Sequence, residues 1–457
     1  MLEKMEGLTI EKITEACSGV FYGETPTLQQ EITGVVIDSR QVEMGNLYIP
    51  VVGEKVDGHS FINAAFEQGA VCTLSEKKLD TTHPYILVKS SLDALKKIAE
   101  YYREILKIKI IGITGSVGKT STKEMISAVL SEKYSVLKTE GNLNNEIGVP
   151  LTILRIRKEH QLAVIEMGID SFGEMHRLSE IVKPDVVVMS NIGTCHLNNL
   201  KNRDGVLRAK SEIFDFISKD GKIFLNGDDD KLAMLTEVKG IKPCFFGITS
   251  KRDIYADKIE NIGMEGMKAV LHYKNEEQAV MIPVPGEHMI YHALAGLAVG
   301  KAFGLTMEAV AEGIAKLQTI QGRNHKIDTD KYHIIDDCYN ANPMSMKASL
   351  DILKNAKGRR VAILGDMFEL GENEISLHRE VGRRAAENKI DLILCVGLLS
   401  KYIYEAAMEE NGNVYYYETK EKLEDEFPKL LQKGDTILVK ASHGMEFTRI
   451  VKELEEL

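Results

Sequence analysis

The stretch GITGSVGKTSTKEM, Gly112 to Met125, limits most strongly how this chain can fold, because it stands between an apolar run and an amphipathic one. A glycine-rich turn in that setting joins a buried strand to a helix, and its backbone N–H groups form a phosphate cradle at the positive helix end. Lys119 is then placed to reach terminal phosphate oxygens, and Thr120 to offer its hydroxyl to Mg2+. The loop departs from the strict G-x-x-x-x-G-K-[ST] pattern, since Ile113 holds the first glycine's place and the glycines fall at Gly112 and Gly115. A ligand-free strand-to-helix turn is the plainer alternative, but G-K-T directly behind an apolar strand is specific in combination. The nucleotide-binding loop is therefore read as Thr114, Gly115, Ser116, Val117, Gly118, Lys119, Thr120 and Ser121.

The chain has 457 residues, enough for about three domains at about 150 residues each. From Ile108 onward, apolar strands alternate with amphipathic helices, the pattern of a parallel sheet covered on both faces. The strands are Ile108 to Thr114, Leu162 to Met167, Asp185 to Ile192 and Lys222 to Asn226, with helices from Lys119, Phe172, Asp204 and Asp229. Met264 to Pro283 alternates like an antiparallel hairpin, and a helix follows from His288 to Phe303. Gly322-Arg323-Asn324 looks like a joint, because a fresh alternation then begins: Tyr332 to Asp337, Arg360 to Asp366, Asp391 to Gly397 and Asp435 to Ala441. Before all this, short strand-like runs with a helix near His59 to Gly69 make a small α/β unit, and Ser91 to Ile105 has helical spacing. The fold expected is α/β in three domains: a small unit over 1–84, a central phosphate-loop domain with a parallel sheet over 85–322, and a doubly wound, Rossmann-like domain over 323–457.

A balance of 57 basic and 68 acidic residues gives a net charge of −11, which argues against non-specific nucleic-acid binding, since that rests on phosphate neutralisation by Lys and Arg. Six cysteines without a C-x-x-C pair indicate neither a zinc site nor a disulfide framework. No run approaches the roughly 18 apolar residues of a membrane span. MLEKMEGLTIEKITEA reads as a short amphipathic helix without the apolar core of a secretory signal. A cytoplasmic enzyme is expected.

Ligands of an open parallel sheet bind beyond the carboxyl ends of its strands, and several polar segments lie at that edge. They are TEGNLNNEIGVP (Thr139 to Pro150), Glu166-Met167-Gly168 and the His196 of GTCHL. Taken singly, Glu166 is as readily a helix-entry carboxylate and His196 a loop histidine with its own partner; their convergence beside Lys119 suits a metal bridging nucleotide and second substrate. Lys210, in RAKSEIF, is by composition alone a surface lysine. DDCYNANPMSM (Asp336 to Met346) and GDMFELG (Gly365 to Gly371) end strands of the third unit and read either as Asx-capped acidic loops or as the far wall of a closing cleft.

In chain order, these motifs together with A-K-x-E and G-R resemble the Mur ligase family over nearly the whole chain. Y-N-A-N-P and G-D-M-x-E-L-G are most similar to the member that performs the last amide-forming step of UDP-muramoyl pentapeptide synthesis for peptidoglycan. The resemblance implies that the first domain holds a UDP-N-acetylmuramoyl tripeptide, the second ATP, and that the third helps to bind D-alanyl-D-alanine. It also implies that ATP converts the tripeptide carboxylate into an acyl phosphate, which the dipeptide amine captures. Carried over by position, Lys119 stabilises the transferring phosphoryl group, and Thr120 and Glu166 hold one Mg2+. Glu166, His196 and a carbamate on Lys210 hold a second; such a carbamate requires surroundings that disfavour the charged amine. Asn142 and Asn145 lie near the acyl phosphate, Arg323, Asp337 and Asn340 meet the nucleotide, and Ser39-Arg40 contacts the UDP-sugar. A monomer is implied. Two departures stand out: GEHMIYHA carries Met289 and His292 where relatives have asparagines beside the base, and KASHGM (Lys440 to Met445) replaces K-G-S-R. The alternatives are a sibling such as an earlier Mur ligase or folylpolyglutamate synthetase, and a phosphate-loop switch ATPase.

Overall fold

The computed structural model describes residues 4–53, 56–249 and 252–457. Among these the strands assemble into three sheets. In spatial order the first is Val20–Tyr22, Tyr85–Leu87, Cys72–Ser75, Asn46–Tyr48 and Gly34–Val36. The second has nine strands: Glu276–Ile282, Met267–Tyr273, Ile254–Asn261, Cys244–Gly247, Lys222–Asn226, Val186–Met189, Lys109–Thr114, Leu162–Glu166 and Val136–Lys138. The third runs His325–Asp328, His333–Asp336, Thr436–Lys440, Arg360–Gly365, Leu392–Val396 and Val414–Tyr417. The α/β, three-unit architecture expected from the alternation is the one observed.

The central strand pairs parallel on both sides, with Ile111 opposite Val186 and Val164 opposite Ile111 across the other ladder. Its residues Ile110 to Thr114 are all buried, which explains the unbroken apolar run: both sheet faces are covered. From this strand the chain passes to the Val136–Lys138 edge, returns through Leu162–Glu166, and then crosses to Val186–Met189. Connections leaving to opposite sides open a crevice at the carboxyl end of Lys109–Thr114, where the phosphate loop begins. The expected hairpin is present, Met267–Tyr273 pairing antiparallel with Glu276–Ile282.

One face of the central sheet shares a core with the first sheet and the Ser91–Ile105 helix, through residues such as Leu47, Ile86, Leu95, Ile98, Ile165 and Leu178. The other face packs on the helices Lys119–Leu130, His288–Ala302 and Met307–Ala315. The alanine-rich run ending near Lys301 is thus a buried core helix, and no described helix is long and apolar enough to cross a membrane.

Two local expectations fail for identifiable reasons. The amino-terminal helix spans only Ile10–Ala16, capped by Thr9, because Gly7 turns the chain at φ +78° and Leu8 enters the core; Met1 to Glu3 lie outside the described residues. The helix expected from Asp229 is a single 3-10 turn, Leu232–Met234. Asp229 accepts from the backbone N–H groups of Lys231, Leu232 and Ile192, which ties the segment to the neighbouring strand end.

Candidate active site

The loop after the central strand is fixed from below before it can hold anything. Ser116 N–H donates to the Asn191 carbonyl (3.1 Å) and Val117 N–H to Asn191 Oδ1 (2.9 Å). Ser190 Oγ and Asn191 Nδ2 in turn donate to the Val117 carbonyl. Two of the N–H groups expected in the phosphate cradle are therefore already spent. The remaining donors include those of Gly118 to Ser121, at the start of the helix, where an α-helix leaves its N–H groups free. The first amide to close a helical bond is Thr122, onto the Gly118 carbonyl at 2.8 Å.

Gly118 has φ +78°, and a Cβ there would stand 2.5 Å from His292 Cε1. His292, 5% exposed, lies under the loop with Nδ1 2.9 Å from Thr122 Oγ1. Burial pushes its pKa down to about 3, with His288 adding to the effect, so the ring is neutral. Since Thr122 Oγ1 already donates to Gly118 O at 2.8 Å, its lone pair accepts a hydrogen bond from Nδ1–H. The ring that replaces an expected asparagine thus braces the loop. Replacing Gly118 with alanine should cost about 1–2 kcal/mol for the left-handed backbone alone. The expected outcome is a lowered melting temperature and a Michaelis constant for ATP raised at least about tenfold, checked by thermal denaturation and steady-state kinetics.

Above the loop is a cavity of about 660 Å³, a volume typical of small-molecule sites. Of the residues singled out in sequence, Ser116 to Ser121, Asn145, Glu166, His196, His292, Arg323, Asp337 and Asn340 line it. Thr114 and Gly115 support it from outside: Thr114 Oγ1 donates to the Met167 carbonyl at 2.9 Å, and Gly115 packs on Ser190. Asn142 does not line it; Asn144 does, its Nδ2 donating to Glu166 Oε1 at 2.7 Å. Ser39 and Arg40 also lie outside the lining, with Arg40 paired bidentately to Asp38 at 2.9 and 2.7 Å.

Glu166 is 1% exposed, and its Oε2 accepts no hydrogen bond; its ion pair is with buried Lys123, at 3.9 Å. A buried carboxylate oxygen without a donor, in a cavity that Thr120 also lines, fits a hard divalent cation. Among the described residues no three His, Cys, Asp or Glu side chains cluster as a closed cage. Magnesium held by one or two carboxylates and substrate phosphates needs none.

Lys210, by composition a surface lysine, is instead 1% exposed. Burial brings its pKa down to about 8, with Lys119 contributing, so neutral amine is accessible there. Burial also lowers the pKa of His196, and both Lys119 and Lys210 are near enough to push it the same way. His196 has φ +51° and reaches the third unit, with Nδ1 2.7 Å from Glu369 Oε2 of GDMFELG.

The opposite wall is built around Asp337. Its Oδ1 accepts from Asn324 N–H (3.1 Å) and its Oδ2 from Lys440 Nζ (2.6 Å) and Ser349 Oγ (2.5 Å). Both oxygens are engaged, so Asp337 pins the Gly322–Asn324 joint to the third sheet. Lys440, 2% exposed, also donates to the Asn340 carbonyl at 3.1 Å. Arg323 lies 4.1 Å over the Tyr339 ring, held at the mouth of the cavity by cation–π attraction. The Asx cap expected in this segment is Asn342, which forms a capping box with Ser345. Asn144, Lys123, Glu369 and Lys440 are the residues that sequence reasoning missed. Lys123, four residues after Lys119, and Lys440, at a strand's carboxyl end, carried a positional signal; Glu369 stood inside a motif already marked.

Fold and site together define a phosphate-loop nucleotide-binding protein whose third α/β unit closes over the loop. The chain matches "Mur ligase family, catalytic domain" over residues 31–113, "Mur ligase middle domain" over 113–300 and "Mur ligase, glutamate ligase domain" over 322–443. It is 36% identical to the UDP-N-acetylmuramoyl-tripeptide--D-alanyl-D-alanine ligase of Bacillus subtilis (strain 168), over 98% of each chain. Among solved structures it resembles the UDP-N-acetylmuramoylalanyl-D-glutamyl-2,6-diaminopimelate--D-alanyl-D-alanyl ligase of Acinetobacter baumannii, with a TM-score of 0.87 and 32% identity over 100% of this chain and 99% of that one. It also resembles the MurF ligase of Thermotoga maritima in complex with ADP, with a TM-score of 0.82 and 29% identity over 93% and 97% of the two chains. The chain belongs to the Mur ligase family.

Proposed function

We propose that this protein joins D-alanyl-D-alanine to UDP-N-acetylmuramoyl tripeptide with release of ADP and phosphate, the last cytoplasmic step in making the UDP-muramoyl pentapeptide of peptidoglycan. The observation that carries the reading is a single cavity faced by the phosphate loop, Glu166, His196 and the Arg323–Asn340 wall, in a chain matched over its length by ligases named for that reaction.

A carboxylate is a poor electrophile, so its oxygen first attacks the γ-phosphorus of ATP and ADP leaves. The dipeptide amine then adds to the acyl carbon, and the tetrahedral intermediate expels phosphate. The N–H groups of Gly118 to Ser121 and the Lys119 ammonium bind the phosphates and meet charge developing on the transferring group. Thr120 and Glu166 would hold one Mg2+, and Glu166, His196 and carbamylated Lys210 a second. When bound, these ions neutralise phosphate charge. Asn144 fixes the Glu166 carboxylate, and Asn145, whose Oδ1 accepts from Ile147 and Gly148 N–H, presents its amide to the acyl phosphate. Arg323 on Tyr339 closes over the nucleotide from the third unit, and Ser39 and Arg40 take the UDP-sugar on the first.

An ADP-release assay tests this directly. ADP should form when ATP, UDP-muramoyl tripeptide and D-alanyl-D-alanine are all present, with at least about a hundredfold fall when either the tripeptide or the dipeptide is left out. ADP formed without either would identify a switch ATPase, and turnover with a different acceptor a sibling ligase.

A further inference from the structure

The cavity extends past Glu166 along a wall that none of the steps above uses. There the loop carrying Asn144 continues into Glu146, and the start of the Ser91–Ile105 helix contributes Leu92 and Lys96. Lys96 Nζ donates to Glu146 Oε1 at 2.7 Å, and Arg177 grips the same carboxylate through Nε (2.6 Å) and Nη2 (3.0 Å). Glu146 is thereby held as an anion, its pKa down at about 2, chiefly through Arg177. Three donors fill its two oxygens, so it has little left to offer a ligand. Lys96 is in the opposite condition. An ammonium has three N–H donors, and among the described residues Lys96 Nζ makes one hydrogen bond, to Glu146. Two donors remain on a side chain 22% exposed that lines the cavity. The other acids on this wall, Glu174 and Asp170, form no ion pair with Lys96 among the described residues: Glu174 Oε2 accepts from the backbone N–H groups of Asp170 and Ser171, and Asp170 Oδ1 from Ser171 Oγ.

We infer that Lys96 is a specificity-determining residue that binds a carboxylate of the peptide substrate other than the one being activated, with Glu146 and Arg177 as positioning residues. This rests on the function proposed above. The activated carboxyl must lie between the phosphate loop and Glu166. The peptide behind it runs toward the first sheet, and Lys96 stands on the helix that leads from that sheet into the central one. The Acinetobacter baumannii ligase is named for a substrate containing D-glutamyl and 2,6-diaminopimelate residues, and each carries such a carboxylate. A lysine ammonium with unspent donors at a partly dry wall forms charge-assisted hydrogen bonds to such an anion.

The test uses Lys96→Met, which keeps the alkyl stem, and Lys96→Arg, which restores a cation. Three substrates are compared: the tripeptide with D-glutamyl and diaminopimelate, the same with lysine as third residue, and the same with the D-glutamyl carboxylate converted to an amide. With the first, Lys96→Met should raise the tripeptide Michaelis constant at least about tenfold, leave that for ATP within about twofold and keep the wild-type melting temperature; Lys96→Arg should recover part of the loss. The penalty should vanish with one analogue, and which one identifies the carboxylate: the amide points to the glutamyl group, the lysine peptide to the diaminopimelate side chain. An unchanged Michaelis constant, or the same penalty on all three substrates, overturns the inference. A wild-type enzyme silent on all three overturns the ligase reading, and the inference with it.

Discussion

Lys119→Ala should leave the protein folded and stop ligation. Lys119 is the first residue of its helix, lines the cavity, and spends one N–H on the Gly115 carbonyl at 3.1 Å. Truncation removes no core contact: the helix is anchored by Met125, Ile126, Val129 and Leu130, all fully buried. On the function proposed above, what is lost is the charge facing the phosphoryl group during transfer, and removing one preorganised donor of this kind costs about 3 kcal/mol or more, on the order of a hundredfold to a thousandfold in rate. The measurements are kcat/KM for ADP release alongside thermal denaturation. Near-normal turnover in a folded variant would refute the role given to this lysine.

Lys210→Ala should be equally silent, for a different reason. Burial, with Lys119 nearby, already drives Lys210 toward the neutral amine. Neutral amine is what reacts with carbon dioxide to give a carbamate, the anionic group that the function proposed above would set with Glu166 and His196 around a metal. The alanine variant should lose at least about a hundredfold in kcat and regain part of it when a short carboxylate such as acetate or formate is supplied. A Lys210→Ala enzyme that works at the wild-type rate, whatever bicarbonate is present, removes the carbamate from the mechanism.

The part of the site written in contiguous residues was legible from sequence: the strand, turn and helix around Lys119 are one local pattern, and Glu166 and His196 follow strands whose apolar runs are unmistakable. The loop from Thr139 to Pro150 shows where such reading stops. Three asparagines lie within four positions, and only the fold determines that Asn144 turns to Glu166 while Asn142 stays off the cavity wall. Lys210 was misjudged by composition because helix periodicity does not say which helices another layer covers. That His292 braces the loop was not legible, because only the fold puts its ring beneath Gly118. The link between His196 and Glu369, and the triad of Lys96, Glu146 and Arg177, join residues from 31 to 173 positions apart. No periodicity reports pairs of that kind.

The unsatisfied Oε2 of Glu166 also bears on how sturdy the resting protein can be. An acceptor shut away from water without a donor weakens the folded state by about 1–3 kcal/mol, a sizeable share of a domain's margin against unfolding. Lys123, 3.9 Å away, offsets part of that cost; on the function proposed above, a cation held by this carboxylate would offset the rest.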